Sequence, residues 1–153
     1  MKNLPFVKAA DVQGEYRTPP RVSKLLLAPK FGGVSNVSMG MNITEVGSMI
    51  PDHVHEESEE VLFLISGRAK IVIEGEGEWE IGPETAFYSP LGKKHRVENI
   101  GNEPLKLVWA YCPPFLCPAH AGSSSDLSPG HSVWEQQSVL QDLFCSFYFQ
   151  RSV

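Results

Sequence analysis

From residue 29 to residue 114 a turn signal interrupts the chain roughly every 8 to 12 residues, and the runs between signals are too short for helices. Gly32-Gly33, Gly47, Ser66-Gly67, Gly75-Glu76-Gly77, Pro90-Leu91-Gly92 and Gly101-Asn102 are the breaks. Residues 23–28, 36–46, 47–55, 61–65, 69–74, 78–81, 85–89, 95–100 and 105–112 then read as about nine strands, with no helical period before residue 130. Such a pattern leaves a small all-β sandwich or barrel. Residues 66–81 read as two successive hairpins. In residues 36–46, Met39, Met41 and Ile43 fall on one face, and Ser38, Gly40, Asn42 and Thr44 on the other. The methionine face is expected to fill the core.

Two of the breaks carry histidines. His53 and His55 stand two apart and share a face if the strand continues through both. Glu56, Glu57, Glu59 and Glu60 follow at once. Imidazoles and a carboxylate on one face are a ligand set for a divalent transition metal, although two solvated histidines beside an acidic loop would look the same. Glu56, Glu57 and Glu59 belong to a solvated loop, because an unpaired buried carboxylate is too costly. Glu60 begins the apolar run 61–65, which fixes its direction inward; Glu59 is its competitor. His95 follows the turn at Pro90 and Gly92 and shares a strand face with Val97 and Asn99. It reaches the first pair only if the intervening strands fold back on one another.

These residues resemble the cupin family. Its first motif runs Gly, five residues, His-x-His, four residues, Glu, six residues, Gly, and Gly47, His53, His55, Glu60 and Gly67 fit every position. Its second runs Gly, five residues, Pro-x-Gly, two residues, His, three residues, Asn. Pro90, Gly92, His95 and Asn99 fit, but Glu84 stands where the leading Gly belongs, with Gly82 two residues too early. The resemblance covers residues 36–113 and implies a double-stranded β-helix, or jelly-roll barrel, with the metal near one mouth. It also implies His53, His55, Glu60 and His95 as ligands, and an N-terminal arm and edge strand over residues 1–35 that pairs with a second subunit in a homodimer.

Three neutral imidazoles and one carboxylate leave a divalent ion with a net charge near +1. Fe, Mn or Ni would keep two adjacent positions open for a bidentate oxygen ligand, whereas Zn would be filled by the four protein ligands. Glu57, Glu59, Tyr88, Tyr111 and Arg68 are candidate proton carriers beside the site, with Glu59, Tyr88 and Arg68 preferred. The expected function is a metal-dependent enzyme acting on a small oxygen-rich substrate molecule. It would be a dioxygenase or a redox-neutral isomerase, lyase or decarboxylase. A non-catalytic small-molecule-binding module is the alternative.

Composition narrows the partners. A net charge of −5 with no basic run gives no footprint for nucleic acid. No stretch reaches 18 apolar residues and the N-terminus has no signal-peptide core, so a cytoplasmic location without membrane partners is expected. Cys112, Cys117 and Cys145 are then read as reduced thiols. Cys112, Cys117 and His120 lack a partner motif for a second zinc site. Residues 114–130 are rich in Pro, Ala, Ser and Gly and read as a linker. In residues 131–153, Val133, Gln136, Leu140, Leu143, Phe144 and Phe147 make a stripe at helical spacing, the mark of a possible C-terminal helix that packs on the barrel or a partner.

Overall fold

A computed structural model describes residues 5–114 of the 153-residue chain. The expected linker and C-terminal helix lie outside these residues, as do Cys117 and His120. Ten strands form among the described residues: β1 (Glu15–Arg17), β2 (Arg21–Leu27), β3 (Ser38–Thr44), β4 (Met49–His53), β5 (Glu59–Ser66), β6 (Ala69–Ile73), β7 (Gly77–Ile81), β8 (Thr85–Ser89), β9 (His95–Asn99) and β10 (Leu105–Cys112). They build two antiparallel sheets, in the orders β1-β2-β3-β10-β5-β8 and β4-β9-β6-β7. The turn spacing pointed to a small all-β sandwich or barrel, and the two sheets are the jelly-roll architecture that the cupin resemblance implies. The N-terminal residues join it directly, since β2 pairs with both β1 and β3.

The connection after β5 corrects the two-hairpin reading. β6 and β7 do form a hairpin, but β5 lies in the six-stranded sheet and β6 in the four-stranded one. The chain therefore crosses between sheets at Gly67, whose φ of 91° suits glycine. A Cβ there would also lie 3.0 Å from the Leu105 backbone. Leu62, Leu64, Leu105, Leu107, Trp109 and Tyr111 from the larger sheet meet Ile50, Ala69 and Val97 from the smaller to form the core. Leu64, Leu105 and Leu107 are wholly buried, each contributing about 1.5–3 kcal/mol.

β3 turns the opposite way from the expectation. Ser38, Gly40, Asn42 and Thr44 are buried, while Met39, Met41 and Ile43 are only half-buried on the outer face. The reason is Trp109, directly opposite Gly40 on β10. A Cβ on Gly40 would fall 2.1 Å from the Trp109 ring, so the strand must turn its glycine face to that indole. Some of the polar groups drawn inside with it are bonded, though the Thr44 hydroxyl has no partner among the described residues. Ser23 bonds the Asn42 side chain, and Asn99 Nδ2 donates to the carbonyl of Thr44.

Glu84, at the position where the second motif departs from its glycine, has φ of 63°, the left-handed region that glycine would occupy without strain. Its N–H donates to the Leu64 carbonyl at 2.9 Å, which holds the turn into β8.

Candidate metal centre

β4 ends at His53, so His55 comes from the loop beyond it rather than from the same strand. Alternation is thus not what brings the two rings together. The β4–β9 register slips between Ile50 and His53, placing His53 opposite His95, and the loop then brings His55 back toward both. Ring centroids lie 4.8 Å apart for His53 and His55, 4.1 Å for His53 and His95, and 5.3 Å for His55 and His95. Glu60 enters from the facing sheet, second in β5, and is 3% exposed. The ligand atoms of these four residues all lie within 4.8 Å of one another. Opposite ligands on a first-row ion stand about 4.2 Å apart, so the set closes on an ion with a shift of about half an ångström.

Hydrogen bonds orient two of the rings. His53 Nδ1 lies 2.8 Å from the carbonyl of Pro51. His95 Nδ1 lies 3.0 Å from the carbonyl of Lys93 and 2.7 Å from Ser89 Oγ. A carbonyl only accepts, so each Nδ1 carries the hydrogen and each Nε2 is left as the ligating nitrogen. The Nε2 of His95 is 2.9 Å from Glu60 Oε2, and that of His55 is 3.3 Å from the same oxygen. A lone pair facing a carboxylate oxygen at that range needs a cation or a proton between them. The donor set fits a divalent transition ion in number, chemistry and tautomer.

Burial pushes the His53 pKa down to about 4, with the neighbouring His95 adding to it, so the ring is neutral at pH 7. For Glu60 burial works toward the neutral acid. The close approach of the His55 and His95 rings outweighs it and holds the carboxyl at about 2, hence ionised. Tyr111, directly opposite Glu60 on β10, is the nearest proton carrier. Its burial, then the Glu60 charge and a hydrogen bond to Glu60, push the phenol well above its usual 10. Its ring stands 4.7 Å from that of His55.

The preferred proton carriers lie elsewhere. Glu59 and Tyr88 are exposed, on the opposite side of their strands from the buried Glu60 and Ser89, and with Val61, Pro90 and Leu91 they line a hollow of about 480 Å³ that Glu60 and Ser89 also border. Tyr88 is 66% exposed. Arg68 sits at the sheet crossing, exposed and paired with Glu80 at 3.0 Å. Glu57 is exposed in the loop. Tyr111, which sequence alone ranked no higher than the rest, is the one beside Glu60. Only the β5–β10 register singles it out. Cys112 is exposed and free at the end of β10.

Known proteins resemble this chain in sequence and in fold. Residues 41–111 match the cupin domain family. An uncharacterized protein of Methanocaldococcus jannaschii is 33% identical over 61% of this chain and 74% of its own length. Polyketide synthase CurC of Streptomyces cyaneus is 29% identical over 59% of this chain, which spans 58% of it. Among solved structures, a predicted oxalate decarboxylase from Thermotoga maritima superposes with a TM-score of 0.64 at 18% identity, over 70% of this chain and 97% of that one. Both motifs, the two-sheet roll and the convergence of His53, His55, Glu60 and His95 agree with these matches: the chain belongs to the cupin family.

Proposed function

We propose that the protein is a metal-dependent enzyme acting on a small oxygen-rich molecule that binds through two neighbouring oxygens. One observation carries this reading: a 3%-exposed Glu60 carboxylate is surrounded by three imidazoles, two of them fixed by backbone carbonyls with Nε2 inward. A core that needed only stability would be better served by apolar side chains there. The names of two relatives, a polyketide synthase and a predicted oxalate decarboxylase, support a substrate dense in carbonyl or hydroxyl oxygen.

Bound at His53, His55, Glu60 and His95, a divalent Fe, Mn or Ni ion would supply Lewis acidity toward a bidentate oxygen ligand, or a place for O₂ beside it. The chain's own residues set the surroundings. Glu60 keeps its charge and lowers the net charge of the centre, which favours a monoanionic over a dianionic ligand. Tyr111 holds a proton at its hydroxyl against Glu60 and, with the tilted Trp109 ring 4.7 Å away, gives that wall an aromatic lining. Glu59 and Tyr88 would serve only a ligand that reaches the hollow they line.

Elemental analysis of protein purified without added metal should find one transition ion per chain; a chain that takes up none refutes the reading. An oxygen-electrode screen against β-diketones, thiols and catechol-like compounds then separates the reactions. Oxygen uptake marks a dioxygenase, and substrate loss without uptake marks redox-neutral chemistry. Tight binding of such compounds without turnover of any would overturn the enzyme reading.

A further inference from the structure

The end of the barrel opposite the histidines holds a buried charge that the metal centre does not use. Arg21, first in β2, is 7% exposed, and its guanidinium has five donors. One of its Nη1 donors bonds the carbonyl of Pro19 at 3.0 Å, and no carboxylate among the described residues pairs with it. Its Cα partner on β1 is Arg17, so two like charges face each other across the strand pair, an arrangement that is destabilising by itself. Burial lowers the Arg21 pKa and Arg17 lowers it further, with no carboxylate acting in the other direction. Arg17 pairs with Glu15, and that carboxylate also acts on Lys30.

The same inward row continues to Thr44, the partner of Arg21 on β3. Thr44 is wholly buried, and its hydroxyl has no partner among the described residues. Arg21 and Thr44 stand level with Leu105 on β10, and Glu60 stands level with Tyr111. Six residues of strand separate the two levels, about 20 Å, so this row is independent of the histidines.

We propose that Arg21 and Arg17 form an oxyanion-binding site at this end of the barrel, with the Thr44 hydroxyl on the same row. A guanidinium fork favours a ligand with two or more terminal oxygens, a carboxylate, sulfate or phosphate, over a spherical anion. Such a ligand supplies the negative charge that the buried Arg21 lacks and removes the repulsion between the two arginines.

Calorimetric titration of the full chain with phosphate, sulfate and acetate at low ionic strength tests the site, with chloride as control. At least one oxyanion should bind saturably with one-to-one stoichiometry, and chloride should not. Arg21→Gln should weaken that binding tenfold or more, with metal content unchanged. Arg21→Lys, which keeps the charge but not the fork, should fall between. His95→Ala should retain the oxyanion; its loss there would place the binding at the metal centre and overturn the proposal. Non-saturable binding, binding shared equally with chloride, or full affinity in Arg21→Gln would overturn it too. Should Arg21→Gln fail to fold, the Nε–Hε resonances of the native chain decide. Saturable shifts of two arginine signals on adding the oxyanion support the site, and unmoved arginine signals refute it.

Discussion

His95 and Asn99 lie at the two ends of β9, on one inward face with Val97 between them, and both are almost fully buried. Their partners differ in kind. At its inward nitrogen His95 meets a side chain, with Glu60 2.9 Å from Nε2, while Ser89 and the carbonyl of Lys93 hold the ring from behind. Asn99 faces backbone. Its Nδ2 lies 3.0, 3.1 and 2.8 Å from the carbonyls of Thr44, Glu45 and Glu103, and its Oδ1 accepts from the N–H of Gly101. A side chain that meets side chains can be exchanged while the strands remain. A side chain that closes three turns at once cannot. One strand thus carries a ligand at one end and a fold-holding residue at the other.

Asn99→Ala should break this comparison most visibly. It leaves the buried carbonyl of Thr44, the part-buried carbonyls of Glu45 and Glu103 and one N–H without their partner, at a cost of about 3–5 kcal/mol in total. Urea unfolding should show the loss directly, and metal binding should fail only in proportion to the unfolded fraction. A stable Asn99→Ala chain that has lost its metal would reverse the assignment of the two ends.

His95→Ala should do the opposite. Removing one of four ligands should weaken metal binding by at least ~100-fold, more than the loss of an outer-shell partner, while far-UV circular dichroism stays that of the barrel. Full metal retention would refute His95 as a ligand.

The metal-free protein sharpens the same contrast through pH. The folded state holds the His53 pKa near 4 against an ordinary value of 6.5, so it disfavours the proton. The stability this represents is complete above pH 6.5 and is lost as the pH falls from 6.5 toward 4, by about 2–3 kcal/mol. Denaturation at pH 7 and pH 4.5 should show that loss in the native chain and a smaller one in His53→Gln. An equal loss in both would mean that another group titrates.

The two ends also differed in what the sequence let one read. His53, His55, Glu60 and His95 were legible because a ligand set needs particular residue types at fixed spacing, and few other arrangements demand them. The facing of β3 was not legible, since alternation defines two faces without saying which is inside; the bulk of Trp109 over Gly40 decided it. The passage from β5 to β6 was misread because a glycine turn looks alike whether it joins neighbours in one sheet or carries the chain to the other. Tyr88 and Tyr111 looked equivalent until register placed Tyr111 opposite Glu60 and left Tyr88 outside, next to an inward Ser89. Arg21 drew no notice, because nothing in a run of mixed residues shows that a cation will be buried without a carboxylate.

The smallest change touches neither end of β9 and separates backbone strain from both. Glu84 occupies the glycine position of the second motif with φ of 63°, and its side chain is exposed. An L-residue held in the left-handed region costs roughly 1–2 kcal/mol that glycine does not, while glycine loses more chain entropy on folding. The backbone term is the larger where φ is positive. Glu84→Gly should therefore raise stability by up to about 1 kcal/mol, read as a higher urea midpoint at an unchanged slope. Metal content should stay as it was, because the turn supplies no ligand and its N–H to the Leu64 carbonyl survives the change. A lower midpoint would show that the Glu84 side chain stabilises the turn by more than its strained backbone costs.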